Sequence, residues 1–312
     1  MVSILMIIGG AALVLWGADR LTDGAVALAE RMRIPQLVIG LTIVALGTSA
    51  PEFCVSLVSA LKGTADLAVG NVVGSNVFNT MLIVGVAAMV APMSILPLTV
   101  KRDIPLSVVA SVALAAMVLM DGEVSRLDAA ILFAGFLVFM WLTLRNAKAE
   151  NNASDDAPTK QYSLLKALGF LLLGLACLVA GSNIFVDGAT DIAQQLGVSE
   201  AVIGLTIVAG GTSLPELATT VVAARKGNSG IAIGNVLGSN VINILLIVGG
   251  AGLICPMTVS GITWIDFAML TGSVLLLWLF CFTKYTVARW EGALLSALFI
   301  AYITWLVVGA MA

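Results

Sequence analysis

Residues 38–52 read VIGLTIVALGTSAPE, and residues 202–216 read VIGLTIVAGGTSLPE. Each stretch starts as an unbroken apolar run and stops at a Gly-Thr-Ser-x-Pro-Glu sextet, Gly47 to Glu52 in the first and Gly211 to Glu216 in the second. Proline has no N–H to offer the carbonyl four residues back, and its ring crowds that carbonyl. Each helix is therefore predicted to kink or break at its sextet.

The two stretches belong to a longer duplication. Residues 34–93 align with 198–257 at a constant offset of 164 without gaps, and 33 of the 60 pairs are identical. Grouping apolar runs between charged or Pro/Gly breaks gives spans at 3–29, 36–61, 67–91, 103–120 and 128–145, then at 164–195, 201–224, 230–254, 262–283 and 291–311. Five spans per copy is an odd number, so the second copy enters the membrane from the opposite side. The predicted fold class is all-α: a polytopic membrane protein of ten transmembrane helices arranged as two inverted-topology repeats of five. The repeats are residues 1–146 and 164–312, and a charged linker at 147–163, too short to fold alone, joins them.

Composition requires the same medium. Of 312 residues, 60% are hydrophobic and 11% charged, with mean hydropathy +1.09. Soluble proteins run at about 45–50% apolar and about 25% charged, so this chain lacks the polar residues to cover a water-facing surface. Soluble enzymes and nucleic-acid binders are excluded, and a net charge of -3 points to no polyanionic partner. With the N-terminus outside, Lys62 and Arg126 are the only basic residues in the outer loops. The positive-inside rule then puts both termini outside a plasma membrane, the inner membrane of a prokaryotic cell. Met1 to Gly17 carries no basic residue, so it reads as the start of the first span and not as a cleaved signal peptide.

Both sextets fall near mid-membrane. Backbone freed there is tolerated only where protein buries it or where it lines a polar cavity. A carboxylate at that depth costs about 2.5–3.5 kcal/mol or more, yet both copies keep one, Glu52 and Glu216. A protonated acid hydrogen-bonded to a neighbouring helix is the plainer reading; the duplicated motif favours a cation site. Ca2+ takes 6–8 oxygen ligands, and the sextets offer carboxylates, hydroxyls and carbonyls with no histidine anywhere in the chain. Cys54, Cys177, Cys255 and Cys281 sit singly in apolar runs and read as packing residues. With no candidate nucleophile and base, an enzyme is not expected.

A second motif follows each sextet: GNVVGSNVFN at 70–79 and GNVLGSNVIN at 234–243. Its glycines permit close helix approach, and its serines and asparagines supply neutral oxygens. For Asn71, Asn76, Asn235 and Asn240, interhelical packing and ligation stand level. For Ser75, Asn79, Ser239 and Asn243, repetition beside the glutamates favours ligation. Asp23 and Asp187 lie close to the interfaces, where a solvated or capping role is expected.

GTSAPE with GNVVGSNVFN, repeated as GTSLPE with GNVLGSNVIN, resembles the paired alpha-repeats of the cation/calcium exchanger superfamily, with the Na+/Ca2+ exchangers of prokaryotes the nearest branch. The Ca2+/H+ branch typically carries glutamate-histidine in its second motif, and the K+-dependent branch has aspartate where Asn243 stands. The resemblance implies that Glu52 and Glu216 bridge Ca2+ and Na+ sites, with the carbonyls of Thr48 and Thr212 completing the Ca2+ shell. It further implies an inner Na+ site at Ala45, Ser49 and Ser75, an outer one at Ala209, Ser213 and Ser239, and Asn79 and Asn243 at the central level. The function implied is Ca2+ exchange for Na+ by alternating access. Ca2+/H+ antiport and K+-dependent exchange are the alternatives, and a passive cation channel ranks below them. No cofactor is expected beyond the transported Ca2+ and Na+, and no obligatory protein partner.

Overall fold

The computed structural model describes residues 2–147, 162–196 and 209–311. Long apolar runs with few internal breaks form helices because a helix satisfies all its backbone groups internally, as a bilayer demands. The first copy contains α1 (Val2–Met32), α2 (Gln36–Thr48), α3 (Ala50–Leu61), α4 (Ala65–Val90), α5 (Thr99–Asp121) and α6 (Arg126–Ala147). The second contains α7 (Leu164–Gln195), α8 (Ala209–Thr212), α9 (Leu214–Arg225), α10 (Ser229–Ile254), α11 (Trp264–Lys284) and α12 (Arg289–Met311). Among the described residues, eight single helices are long and apolar enough to cross a bilayer, and α2 with α3 makes a ninth span. The expected span at 201–224 is represented by α8 and α9; its first eight residues, and nearly all of the linker, lie outside the described residues.

Both expected breaks are present. The α2–α3 pair bends by 50° at Ser49, whose ψ of 7° departs from the helical value of about -42°. Ser213, between α8 and α9, has φ -90° and ψ 6°. In each case the proline follows as an early residue of the next helix, where its missing N–H is harmless.

The first helices of the two copies, α1 and α7, pack antiparallel. Gly10, Gly17 and Gly24 lie against Gly181, Gly174 and Ala167 in turn, and a methyl group at Gly17 would sit 2.8 Å from the Gly174 carbonyl oxygen. The small side chains let the two backbones meet. Inside, α4 and α10 form the centre: 94% of the most apolar window of α10 is buried within the protein and 72% of that of α4, against 22–28% for α1, α6, α7 and α12. The outer helices turn their large side chains, Leu165 and Trp141 among them, outward, as lipid-facing helices do. Two short antiparallel ladders, unforeseen in the sequence, tie the copies together. Met93–Ser94 (β1) pairs with Thr286–Val287 (β4), and Glu123–Val124 (β2) pairs with Met257–Thr258 (β3).

Candidate functional site

The site is built where the two breaks meet α4 and α10. Glu52 and Glu216 open α3 and α9, and each is 1% exposed. A helix start is a favourable place for a carboxylate, since the unpaired N–H groups there carry partial positive charge. Each glutamate is held by the other copy. Ser49 Oγ donates to Glu216 Oε1 at 3.0 Å, and Ser213 Oγ donates to Glu52 Oε1 at 3.0 Å. Ser213 Oγ is also 3.3 Å from Ser75 Oγ.

These hydrogen bonds run across the grouping that motif position implies for the Na+ sites. Motif position puts Ser49 and Ala45 with Ser75, and Ser213 with Ser239; the structure crosses them. Ser75 joins Ser213 and Glu52, while Ser239 approaches Glu216 beside Ser49, with its neighbour Gly238 lying against Ala45. The reason is the break itself, which aims the serine of one copy across the interface at the glutamate of the other. Ala209 opens α8, and Thr212 approaches Glu52.

Asn79 and Asn243 stand at the start of irregular turns with i to i+5 spacing, Phe78–Ile83 in α4 and Asn243–Val248 in α10. Such turns inside helices recur at functional sites. Both asparagines are buried, and both leave the amide oxygen without a hydrogen-bond partner. The same is true of Glu52 Oε2, Glu216 Oε2 and Ser239 Oγ. A buried polar atom left unpaired costs about 1–3 kcal/mol, and more when charged, so five of them in one place describe a receptor for something electropositive. Every one belongs to a residue singled out in the sequence, and every one is oxygen.

Asn71 and Asn235, left open between packing and ligation, act as struts. Asn71 Nδ2 reaches the Glu52 carbonyl at 3.3 Å and Ser56 Oγ at 3.0 Å; Asn235 Nδ2 reaches the Glu216 carbonyl at 3.4 Å and Thr220 Oγ1 at 3.0 Å. Thr48 Oγ1 donates to Asn235 Oδ1 at 3.0 Å and also lies near the Glu216 carboxylate. Ser56 and Thr220 were missed by sequence reasoning; their one signal was repetition at matched positions. Asp23, expected to be solvated or capping, is ion-paired: Lys226 Nζ lies 2.6 Å from Asp19 Oδ1 and 2.8 Å from Asp23 Oδ1.

Two buried carboxylates and a set of unpartnered oxygens, enclosed by the helices of a multi-pass membrane protein, define the class. The sequence profile described as sodium/calcium exchanger protein matches residues 2–145 and 166–308, and the chain belongs to that family. It is 37% identical over 313 residues to the inner membrane protein YrbG of Escherichia coli, covering 96% of this chain and 95% of the relative. It is 31% identical to the sodium/calcium exchanger MaX1 of Methanosarcina acetivorans, covering 97% of each. A solved structure of the sodium-calcium exchanger NCX_Mj, soaked with Na+ and Ca2+, superposes with a TM-score of 0.85 at 30% identity, covering 97% of this chain and 98% of that one.

Proposed function

We propose that this chain is a secondary antiporter that exchanges Ca2+ for Na+ by alternating access, with net charge moved in each cycle. The observation that carries the reading is the set of buried, unpartnered oxygens, two carboxylate and two amide, of which the two carboxylates would neutralise one divalent cation. With the carbonyls of Thr48 and Thr212 the set reaches six, the lower end of the Ca2+ range. Na+ accepts the same hard oxygen donors, and the serines beside each glutamate supply separate positions for it: Ser75 and Ser213 near Glu52, Ser49 and Ser239 near Glu216. The names of MaX1 and NCX_Mj support Na+ as the counter-ion.

The antiparallel packing of α1 on α7 supports an inverted pair of five-span repeats, divided at 147–163, and the scarcity of basic residues in the outer loops supports both termini outside the inner membrane. Two fixed carboxylates balance Ca2+ but fall short of a full complement of Na+, so the return leg carries excess positive charge. One such charge is worth about 2.3 kcal/mol per 100 mV.

The test is 45Ca uptake into proteoliposomes. An outward Na+ gradient should drive saturable uptake, and a lumen-positive K+/valinomycin potential should accelerate it. Uptake driven by an outward proton gradient and indifferent to Na+ would replace this reading with Ca2+/H+ antiport; uptake without any counter-ion would make the protein a channel.

A further inference from the structure

An asparagine can present either end of its amide to a cation, and only the oxygen end binds one. The two ends are nearly equal in shape, so the choice is made by whatever else the amide touches. Here each candidate ligand donates its nitrogen to an asparagine of the other copy. Asn79 Nδ2 donates to Asn240 Oδ1 at 3.2 Å, and Asn243 Nδ2 donates to Asn76 Oδ1 at 3.0 Å. The oxygens of Asn79 and Asn243 are thereby left without a hydrogen-bond partner.

Those acceptors are themselves asparagines and need fixing in turn. Asn240 Nδ2 donates to Thr80 Oγ1 at 2.7 Å, and Asn76 Nδ2 donates to the Asn240 backbone carbonyl at 3.0 Å. Asn76, Asn79, Thr80, Asn240 and Asn243 are all buried, so water does not compete for these donors. Two directed chains result, Asn79 to Asn240 to Thr80 and Asn243 to Asn76 to the Asn240 carbonyl, and each link crosses from one copy to the other.

We infer that Asn76 and Asn240 are positioning residues for cation selectivity: they touch no ion, and they lock the amides of Asn243 and Asn79 with oxygen toward it. The inference rests on the cation site proposed above. The chains end differently. Thr80 corresponds to Ile244 in the duplication, which cannot accept a hydrogen bond, so one chain ends on a side chain and the other on backbone. The Asn79 lock can therefore be loosened by one near-isosteric change, Thr80→Val.

The experiment is a double-mutant cycle read by equilibrium 45Ca binding and by half-saturating Ca2+ and Na+ in flux assays. Asn240→Ala and Asn79→Ala should each raise half-saturating Ca2+ about tenfold, and the double variant should be no worse than either single, because one residue acts through the other. Thr80→Val takes the acceptor from Asn240 Nδ2 and should lower the melting temperature by a few degrees with the fold retained, raise half-saturating Ca2+ about threefold and shift the Ca2+ to Na+ preference. Additive losses in the double variant, or an unchanged ion preference in Thr80→Val, would overturn the inference. Failure of the wild-type protein to bind either ion would instead remove the function on which it rests.

Discussion

The two copies of the motif pair match in chemistry and differ in packing. Glu52 and Glu216 are equally buried and each takes a serine from the opposite copy at the same 3.0 Å; Asn71 and Asn235 brace their glutamates at distances within 0.1 Å of each other. Around this common centre the copies part. Gly238 of α10 lies so close to α2 that a methyl group there would stand 2.7 Å from the Leu41 carbonyl and from the Ala45 methyl, whereas its counterpart Gly74 of α4 is exposed. Lys226 is tied to Asp19 and Asp23 of α1, while its counterpart Lys62 has no ion pair among the described residues. The same ligand chemistry thus sits in unequal packing, closed around Gly238 and open around Gly74.

Substitutions made in pairs test how far the equivalence runs. The largest effect is expected for Glu52→Gln and Glu216→Gln, each of which should lower Ca2+ transport more than about 100-fold with the fold retained, since a divalent ion would keep one compensating charge in a site of low dielectric. Unequal losses would break the equivalence at its centre. Next, Ser49→Ala and Ser213→Ala each remove a hydrogen bond to a carboxylate, worth about 1.5–3 kcal/mol, and should weaken Na+ activation about tenfold or more to similar degrees. Because the contacts cross, Ser213→Ala should add little to Glu52→Gln, whereas it should add fully to Glu216→Gln; the reverse pattern would contradict the crossed hydrogen bonds.

Packing should separate the copies where chemistry does not. Gly238→Ala forces a methyl into a closed contact and should destabilise the protein by about 1–3 kcal/mol, visible in thermal unfolding. Gly74→Ala should leave the melting temperature near wild type, because a methyl group there meets nothing within 4 Å. Equal destabilisation by both would remove the packing difference. The smallest effect belongs to Lys226→Met, which removes a partly exposed ion pair worth about 0–1 kcal/mol, against no stability change for Lys62→Met.

Much of this was legible in the sequence, because apolar run length, proline chemistry and duplication act locally along the chain. The break at Ser49, the spans of α1, α4 and α7, and both glutamates could be read from residue order alone. What could not be read is whatever depends on one copy reaching the other. The spacing of Ser49, Ser75, Ser213 and Ser239 says which helix each rides on, not which glutamate it meets, and Ser49 and Ser213 each reach the glutamate of the other copy. The amide directions of Asn79 and Asn243 depend on acceptors some 160 residues away, at Asn240 and Asn76. The tie from Lys226 to Asp19 and Asp23 spans more than 200 residues and, among the described residues, has no counterpart at Lys62.

The central claim is that Ca2+ and Na+ compete for one pocket that needs both glutamates. Equilibrium 45Ca binding to the purified protein, titrated with Na+, tests it most directly. The account predicts a single saturable Ca2+ displaced by Na+ with a Hill coefficient above one, and no measurable Ca2+ binding in Glu52→Gln or Glu216→Gln. Undiminished Ca2+ binding in either variant, or wild-type Ca2+ binding that Na+ fails to displace, would contradict it.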